Sequence, residues 1–204
     1  MQSSRDAHKE DDDDDDALKD SSDNGADRKW ETIDSRYIIE RPWLTARCDH
    51  VKLPTGAEIP EYYVLEYPDW VNVIALTKEG KFVMVRQYRH GLQETRYELC
   101  AGVCEEGEDP MEAAKRELYE ETGYTGGQWK LWMTVSANAS TMTNLTHCYL
   151  ATGVERITGQ HLEDTEDLSV HLLTKKEVKR LLQTDEVRQS LMAAPLWKYF
   201  AKHG

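Results

Sequence analysis

Three features that many functional classes depend on are missing from this sequence. The 25 lysines and arginines are outnumbered by 38 aspartates and glutamates, the net charge is −13, and the basic residues form no cluster. Because nucleic-acid phosphates are bound by patches of lysine and arginine, we expect no nucleic-acid partner. No apolar run is long enough to cross a bilayer, and the N-terminus has no hydrophobic signal region. We therefore expect a cytoplasmic protein with no membrane association.

Cysteine and phenylalanine are also scarce. The four cysteines, at positions 48, 100, 104 and 148, do not have the spacing of a zinc site, so we expect free thiols. Phenylalanine occurs twice, but ten tyrosines and six tryptophans supply the aromatic residues that a core needs. A chain of 204 residues with 39% hydrophobic residues suits one domain, or one domain with an appended piece.

Composition divides the chain into three parts. Residues 1–29 carry −6 of the net charge and include an unbroken aspartate run at 11–16, which is typical of a disordered acidic tail. Residues 30–66 contain three strand-like segments, at 37–40, 44–53 and 58–66, with a Pro-Thr-Gly turn at 54–56. These segments predict a small β subdomain, and residues 67–204 form the remainder.

The remainder alternates strands with a few helices. We expect a hairpin from 71–77 and 81–88, and further strands at 96–103, 128–135, 145–153 and 168–173. Helices are expected at 110–122, after the capping residue Thr174, and from about Asp185 with an interruption at Pro195. Strands on both sides of a central helix, followed by late helices, predict an α+β fold with helices packed on a mixed sheet.

The most specific feature of the chain is the segment 102–124, GVCEEGEDPMEAAKRELYEETGY. It contains a fixed pattern in which glycine, glutamate, arginine and a run of carboxylates recur at set spacings: Gly102, Glu108, Arg116, Glu117, Leu118, Glu120, Glu121, Gly123 and Tyr124. The pattern gathers carboxylates, one arginine and turn glycines in one short segment. Such a set suits a divalent cation held against a diphosphate.

The predicted helix explains the spacing. Asp109 is a good N-cap and Gly123 a good stop, so the helix should run from about 110 to 122. At about 100° per residue, Glu117, Glu120 and Glu121 share one face. Three like charges this close favour a cation among them, and ligands that are all oxygen favour Mg²⁺ or Mn²⁺ over Zn²⁺. Arg116 can orient one of the carboxylates through a charge-assisted fork.

The segment resembles the Nudix box, and every position of that pattern is filled. The flanking stretches FVMVRQYR at 82–89, YELCAG at 97–102 and EDLSV at 166–170 resemble those of the ADP-ribose and ADP-sugar pyrophosphatase group. The similarity extends over about residues 30–182. It implies the Nudix α/β/α sandwich with a mixed sheet in residues 67–204, plus a small N-terminal antiparallel sheet in residues 30–66 that pairs two subunits into a homodimer.

The resemblance also implies a reaction. The activity would be Mg²⁺-dependent hydrolysis, with Mn²⁺ as the alternative ion, of a nucleoside diphosphate linked to another small-molecule moiety. Metal ligands would be Glu117, Glu121 and the carbonyl of Ala101, with Glu120 beside them. The substrate phosphates would contact Arg89, with Glu98 in the same cleft. The general base would be Glu166.

Several alternatives stay open at the level of sequence. Glu163, Asp164 and Asp167 compete with Glu166 in the same loop, and Glu98 is equally suited to a structural pair with an arginine. Aromatic residues of the N-terminal part are candidates for stacking on a nucleobase or for core packing: Trp30, Trp43, Tyr62 and Tyr63.

The sequence leaves the substrate open as well. It departs from the group at Ala139 and Cys100, where that group usually has proline, so GDP-mannose, NADH and dinucleoside polyphosphates are alternatives to ADP-ribose. A non-catalytic nucleotide-sugar sensor is the rival from another class. Such sensors usually have a degenerate box, whereas the box is complete here.

Overall fold

The structure, a computed structural model, describes residues 28–204. These residues form two β-sheets and three α-helices. The acidic tail predicted for residues 1–29 lies outside the described part, apart from Arg28 and Lys29. The four cysteines are buried and free. Between residues 28 and 204, no helix is long and apolar enough to cross a membrane.

The N-terminal sheet is antiparallel and has three strands in sequential order: β1 (Glu31–Arg41), β2 (Leu44–Lys52) and β3 (Glu58–Glu66). Strand β1 begins six residues earlier than the predicted strand at 37–40, because it pairs with β2 along its full length. Its side chains are exposed from end to end, whereas those of Ala46, Cys48 and Val51 in β2 are buried. The outer strand of this sheet is therefore uncovered in a single chain.

The larger sheet contains the other eight strands: β4 (Trp70–Thr77), β5 (Phe82–Arg89), β6 (Glu94–Glu98), β7 (Cys100–Val103), β8 (Tyr124–Thr125), β9 (Gln128–Val135), β10 (Thr146–Arg156) and β11 (Leu168–Leu173). Strands β4 and β10 are parallel, and the other pairs are antiparallel. The expectation of a mixed sheet is confirmed.

The strand predicted at 96–103 is divided into β6 and β7 at Leu99, which is fully buried. The prediction of one strand was wrong because the two halves have different partners: β6 pairs with β5, and β7 pairs with the first half of β4. Strand β5 joins β4 only further along, at Ala75 and Leu76. Strands β7 and β5 thus pair with different parts of β4. The candidate site lies in this region of the sheet.

Helices cover both faces of the larger sheet. Helix α1 (Pro110–Thr122) packs on one face, where its Ala114 and Leu118 meet Val73 and Tyr149. Helices α2 (Lys175–Gln183) and α3 (Ser190–His203) cover the other face, on a core around Ile74, Phe82, Leu150 and Leu196. The layers are helix, sheet and helix, as the predicted α/β/α sandwich requires.

The last helix, α3, differs from its prediction in where it starts and in its continuity at Pro195. It begins at Ser190, not near Asp185, and continues through Pro195 to His203. A proline at this position cannot donate to the carbonyl of Leu191 four residues earlier. Asn72 of β4 supplies the missing donor, since its Nδ2 lies 2.8 Å from that oxygen. Because the carbonyl is satisfied from outside the helix, the helix tolerates the proline.

Candidate active site

The position of α1 is set by its two ends. The Asp109 carboxylate accepts hydrogen bonds from the backbone N–H groups of Met111 (2.9 Å) and Glu112 (3.3 Å), which caps the helix as predicted. Gly123 ends it in the left-handed conformation, with φ of 74°. The turn that contains the box carboxylates then lies against β7.

The three box glutamates do not have equal surroundings. Glu117 and Glu121 are 9% and 4% exposed on the side of α1 that faces β7, whereas Glu120 is more open. Glu117 lies directly against Gly102, where a side-chain carbon would overlap its carboxyl group. The backbone N–H of Ala101 donates to Glu121 Oε2 at 3.2 Å. The shared face predicted from the sequence is present, but two of its carboxylates are buried.

Arg116 connects the carboxylates to the loop before the helix. Its Nε and Nη2 form a fork with the two carboxylate oxygens of Glu108, both at 3.0 Å. Its Nη1 donates to Glu117 Oε1 at 2.9 Å and to Glu120 Oε2 at 3.1 Å. The sequence predicts a fork to one metal-binding carboxylate; in the structure the fork goes to Glu108, and the metal-binding candidates receive single hydrogen bonds.

Burial changes the acidity of these groups. Burial, helped by the negative charges of Glu117 and Glu166, raises the pKa of Glu121 to about 8, although the hydrogen bonds from the Cys100 thiol and the Ala101 N–H oppose the change. Burial also raises the pKa of Glu117, although Arg116 opposes the change. The positive charge around Glu117 and Glu121 is therefore too small for both carboxyl groups to ionise easily.

Arg89 and Glu98 form a close ion pair next to this cluster. The Arg89 Nη2 lies 2.6 Å from Glu98 Oε2, and its Nε lies 3.1 Å from both carboxylate oxygens. Glu98 is buried, and Gln87 also donates to it. Burial lowers the pKa of Arg89, but Glu98 and then Glu121 raise it by more. Arg89 is thus held in place by Glu98 while remaining partly exposed.

Glu166 lies in the exposed loop between β10 and β11. One of its carboxylate oxygens accepts a hydrogen bond from the backbone N–H of Glu163 at 3.0 Å. Its charge contributes to the raised pKa values of both Glu117 and Glu121. The fold therefore brings this loop acid, distant in sequence, close to the box carboxylates.

A cavity of about 440 Å³ lies on the α3 side of β7, whereas Glu117 approaches β7 from the α1 side. Its walls come from the start of β4, the β5–β6 connection, β7, the start of β10 and the start of α3. They include Trp70, Asn72, Arg89, Leu92, Glu94, Arg96, Glu98, Ala101, Gly102, Val103, Thr146, Arg188, Gln189, Leu191 and Met192. Arg89 and Glu98 therefore belong both to the cavity and to the surroundings of the carboxylates.

The box carboxylates fit a divalent cation in charge and in donor type. They are oxygen ligands, and two of them, Glu117 and Glu121, are buried. Burial raises the pKa of both, although Arg116 lies next to Glu117. Across residues 28–204, no three acidic, histidine or cysteine side chains converge in a finished cation site. Arg116 donates to Glu117 and the Ala101 N–H donates to Glu121, so a cation would compete with these two donors for the carboxylates.

Sequence reasoning assigned no role to several residues around the site. Glu108 belongs to the box pattern, and its spacing from Arg116 could have identified the ion pair. Cys100 contacts Glu121, and Gln160 donates to the backbone carbonyl of Glu121 at 2.9 Å. Neither residue has a local signal, because these contacts depend on how the strands and loops meet.

Comparison with known families agrees with this geometry. A family model described as the NUDIX domain matches residues 66–194. A second model, described as the nucleoside diphosphate sugar hydrolase N-terminal domain, matches residues 30–65. The first match spans more than half of the chain and includes the box, α1 and the loop that carries Glu166.

The chain is also similar to individual proteins along most of its length. The chain is 32% identical over 161 residues to a methanol dehydrogenase activator of Bacillus methanolicus, covering 78% of this chain and 86% of that protein. It is 30% identical over 158 residues to an ADP-ribose pyrophosphatase of Bacillus subtilis (strain 168), covering 77% and 85%. A crystal structure of an ADP compounds hydrolase superposes with a TM-score of 0.72 at 17% identity, covering 87% of this chain and 97% of that one. The last comparison shows the fold.

Proposed function

The chain belongs to the Nudix hydrolase family, and from this we propose that it hydrolyses the diphosphate bridge of a nucleoside diphosphate linked to a sugar, with ADP-ribose or a related ADP-sugar as substrate. The observation that carries the proposal is the pair of buried carboxylates, Glu117 and Glu121, on the face of α1 that meets β7. Two ADP-ribose pyrophosphatases, from Bacillus subtilis and Mycobacterium tuberculosis, are among its relatives.

The proposed cofactor is Mg²⁺, with Mn²⁺ as a substitute. Glu117, Glu120, Glu121 and the carbonyl of Ala101 would hold it. Such ions lower the pKa of an attacking water and neutralise a diphosphate. The raised pKa values of Glu117 and Glu121 support this assignment. They come first from burial and then from neighbouring carboxylates, and an added positive charge would offset both.

Two arginines have different proposed roles. Arg116 orients Glu117 and Glu120, with its own position set by the fork to Glu108. Arg89 binds the substrate phosphates, since it is partly exposed and close to Glu121. Glu98 keeps Arg89 in position, so it acts on the substrate through the arginine.

Glu166 is the proposed general base, which accepts a proton from the attacking water. Its exposed carboxylate is close enough to Glu117 and Glu121 to raise their pKa values, and water can reach it. We expect Glu166→Gln to lower kcat by about 10²–10⁴-fold, the usual size of general-base catalysis. The matched control is Glu163→Gln in the same loop, and equal losses in the two variants would contradict the assignment.

The substrate is tested with a panel. Purified protein is assayed on ADP-ribose, GDP-mannose, NADH and diadenosine polyphosphates with Mg²⁺ and, separately, with Mn²⁺. The proposal requires the highest kcat/KM for ADP-ribose or another ADP-sugar, with AMP and a sugar phosphate as products. A higher kcat/KM for GDP-mannose or NADH would contradict the proposed substrate but not the proposed reaction. Binding without any product would favour a sensor and overturn the enzymatic proposal.

We propose that the active unit is a homodimer formed through the N-terminal sheet. Strand β1 is eleven residues long and exposed throughout, and it carries the apolar side chains of Ile33, Tyr37, Ile38 and Ile39. A long apolar edge strand is rarely left uncovered in a folded protein. Light scattering should give twice the mass of the chain, and Ile39→Lys should shift it to the monomer. A monomeric wild-type protein would contradict the proposal.

A further inference from the structure

The loop that carries Glu166 is attached to the helix that carries the box carboxylates. The last carbonyls of a helix have no partner within the helix, so they accept hydrogen bonds from other groups. In α1, the carbonyl of Glu120 accepts from the backbone N–H of His161 at 2.8 Å, and the carbonyl of Glu121 accepts from Nε2 of Gln160 at 2.9 Å. Two residues whose side chains are candidate metal ligands therefore hold the loop through their backbones.

Gln160 also contacts the far end of the loop. Its Nε2 lies 3.3 Å from the carbonyl oxygen of Leu168, the first residue of β11. Both partners are carbonyl oxygens, which only accept, so the amide cannot be turned around without placing its own oxygen against them. One side-chain amide thus joins the end of α1 to the start of β11, and residues 161–167 lie between these two points.

Further contacts hold the first part of the loop against α1. The imidazole of His161 stacks on the ring of Tyr119, with 5.2 Å between the centroids and 20° between the planes. For residues 162–166, the hydrogen bonds that the structure describes join Glu166 only to Glu163. The position of Glu166 therefore depends on how the ends of the loop are attached.

Electrostatic repulsion opposes this attachment. Glu166 is close enough to Glu117 and Glu121 to raise the pKa of both carboxyl groups, and charges of the same sign repel. The loop contains further acids at positions 163, 164 and 167. The donors that meet the end of α1 are a backbone N–H and a side-chain amide, both neutral, and they hold an acidic loop next to an acidic helix face.

We propose that Gln160 is a positioning residue, which fixes the loop on the last turn of α1 and thereby keeps Glu166 next to the box carboxylates. Gln160 acts on the reaction through Glu166, the proposed general base. Because the same turn of helix carries Glu120 and Glu121, the position of the base is tied to that of the metal ligands. This inference rests on the proposed function and adds how its base is held.

The first measurement is hydrogen exchange, followed by mass spectrometry, in the variant Gln160→Met. Methionine has about the same length and volume as glutamine and no donor. The backbone amides of residues 161–167 should exchange about three- to tenfold faster than in the wild type, the effect of a lost hydrogen bond. Those of residues 169–173 in β11 should keep their protection, which shows that the fold is intact.

The second measurement is a double-mutant cycle on the hydrolysis of ADP-ribose with saturating Mg²⁺. Gln160→Met should lower kcat by about 10–100-fold, the usual cost of a displaced catalytic group or its support, and leave KM almost unchanged. In the Glu166→Gln background the same substitution should have no further effect, because no base is left to position. Binding of Mn²⁺, followed by electron paramagnetic resonance, should be the same in Gln160→Met and the wild type.

Gln183→Met is the matched control. Gln183 is exposed on α2, and its side chain has no hydrogen-bond partner among the residues that the structure describes. This variant makes the same substitution away from the loop. It should match the wild type in hydrogen exchange, Mn²⁺ binding and kcat.

Three results would overturn the proposal. Unchanged exchange in Gln160→Met would show that other contacts hold the loop. Faster exchange with an unchanged kcat would show that the attached position of the loop does not matter to the reaction. A loss of kcat that persists in the Glu166→Gln background, or weaker Mn²⁺ binding, would show that Gln160 acts through Glu121.

The two measurements also separate this inference from the proposed function. A chain that hydrolyses no compound of the panel would refute the proposed function. The exchange comparison needs no turnover, so it would still decide whether Gln160 holds the loop.

Discussion

Replacing Glu121 with glutamine should stabilise the protein and abolish its activity at the same time. The carboxyl group is 4% exposed, and burial raises its pKa from 4.5 to about 8. Glutamine has the same shape and no charge, and its oxygen can still accept the hydrogen bond from Ala101 N. The variant therefore removes a buried charge without leaving a hole.

The size of the stabilisation depends on pH. Because the folded-state pKa lies above the unfolded value, the stability that protonated Glu121 contributes is present below about pH 4.5 and is lost as the pH rises to about 8. In a chelator, burying Glu121 instead of an always neutral side chain costs the fold about 4 kcal/mol at pH 8 and about 1 kcal/mol at pH 5, at about 1.4 kcal/mol per pKa unit. Glu121→Gln removes this cost.

The assay is chemical and thermal unfolding in EDTA at both pH values, with hydrolysis of ADP-ribose measured in parallel with saturating Mg²⁺. At pH 8 the variant should melt about 10 °C above the wild type, and at pH 5 the difference should fall to about 2–4 °C. Its kcat should fall by about 100-fold or more, since even groups that support metal ligands commonly cost 10–100-fold when they are lost.

The control is Glu120→Gln, which removes the same charge from the adjacent, more exposed residue. It should leave the unfolding temperature almost unchanged at both pH values. A variant at Glu121 that is no more stable than the wild type at pH 8 would show that the carboxylate is not in a buried environment. Turnover close to the wild type would refute its role as a metal ligand.

Two further predictions concern other contacts of the fold. Gly102→Ala places a methyl group in the space of the Glu117 carboxyl group, so kcat should fall by about 100-fold while circular dichroism shows an intact fold. Asn72→Ala removes the donor of the Leu191 carbonyl and should lower the free energy of unfolding by about 1–3 kcal/mol, measured in urea. That loss should shrink in a Pro195→Ala background, where the new backbone N–H can bond the same carbonyl.

Each of these predictions has its own control. Gly159 has no atom close to the position of an added methyl group and no left-handed backbone, so Gly159→Ala should retain full activity. For Asn72, the double-mutant cycle is the control, because the space left by the truncated side chain is common to both backgrounds. Equal losses in the two backgrounds would show that the hydrogen bond to Leu191 contributes nothing.

Local chemistry made the central helix predictable. Asp109, Pro110 and Gly123 determine where α1 begins and ends, and the structure places its bounds at Pro110–Thr122. The shared face of Glu117, Glu120 and Glu121 follows from the helical repeat alone. What the repeat could not show is that two of the three carboxylates are buried, because their burial depends on how closely β7 approaches at Gly102.

Long-range pairing explains the errors. The break between β6 and β7 at Leu99 is invisible in an apolar run, since it follows from the choice of two different partner strands. Pro195 was expected to interrupt a helix, and it does not, because Asn72 is more than a hundred residues away in sequence and adjacent in space. Neither contact has a local signature.

By itself the sequence determined the helix, the spacing of its carboxylates and the resemblance to a family, because each depends on residues a few positions apart. The tertiary structure decided which carboxylates lose contact with water, which arginine is held by Glu98, and that Gln160 joins α1 to the loop that carries Glu166. The reason is physical: burial and electrostatic coupling depend on distances between elements, and these distances are set only when the sheet pairs and the helices pack on it.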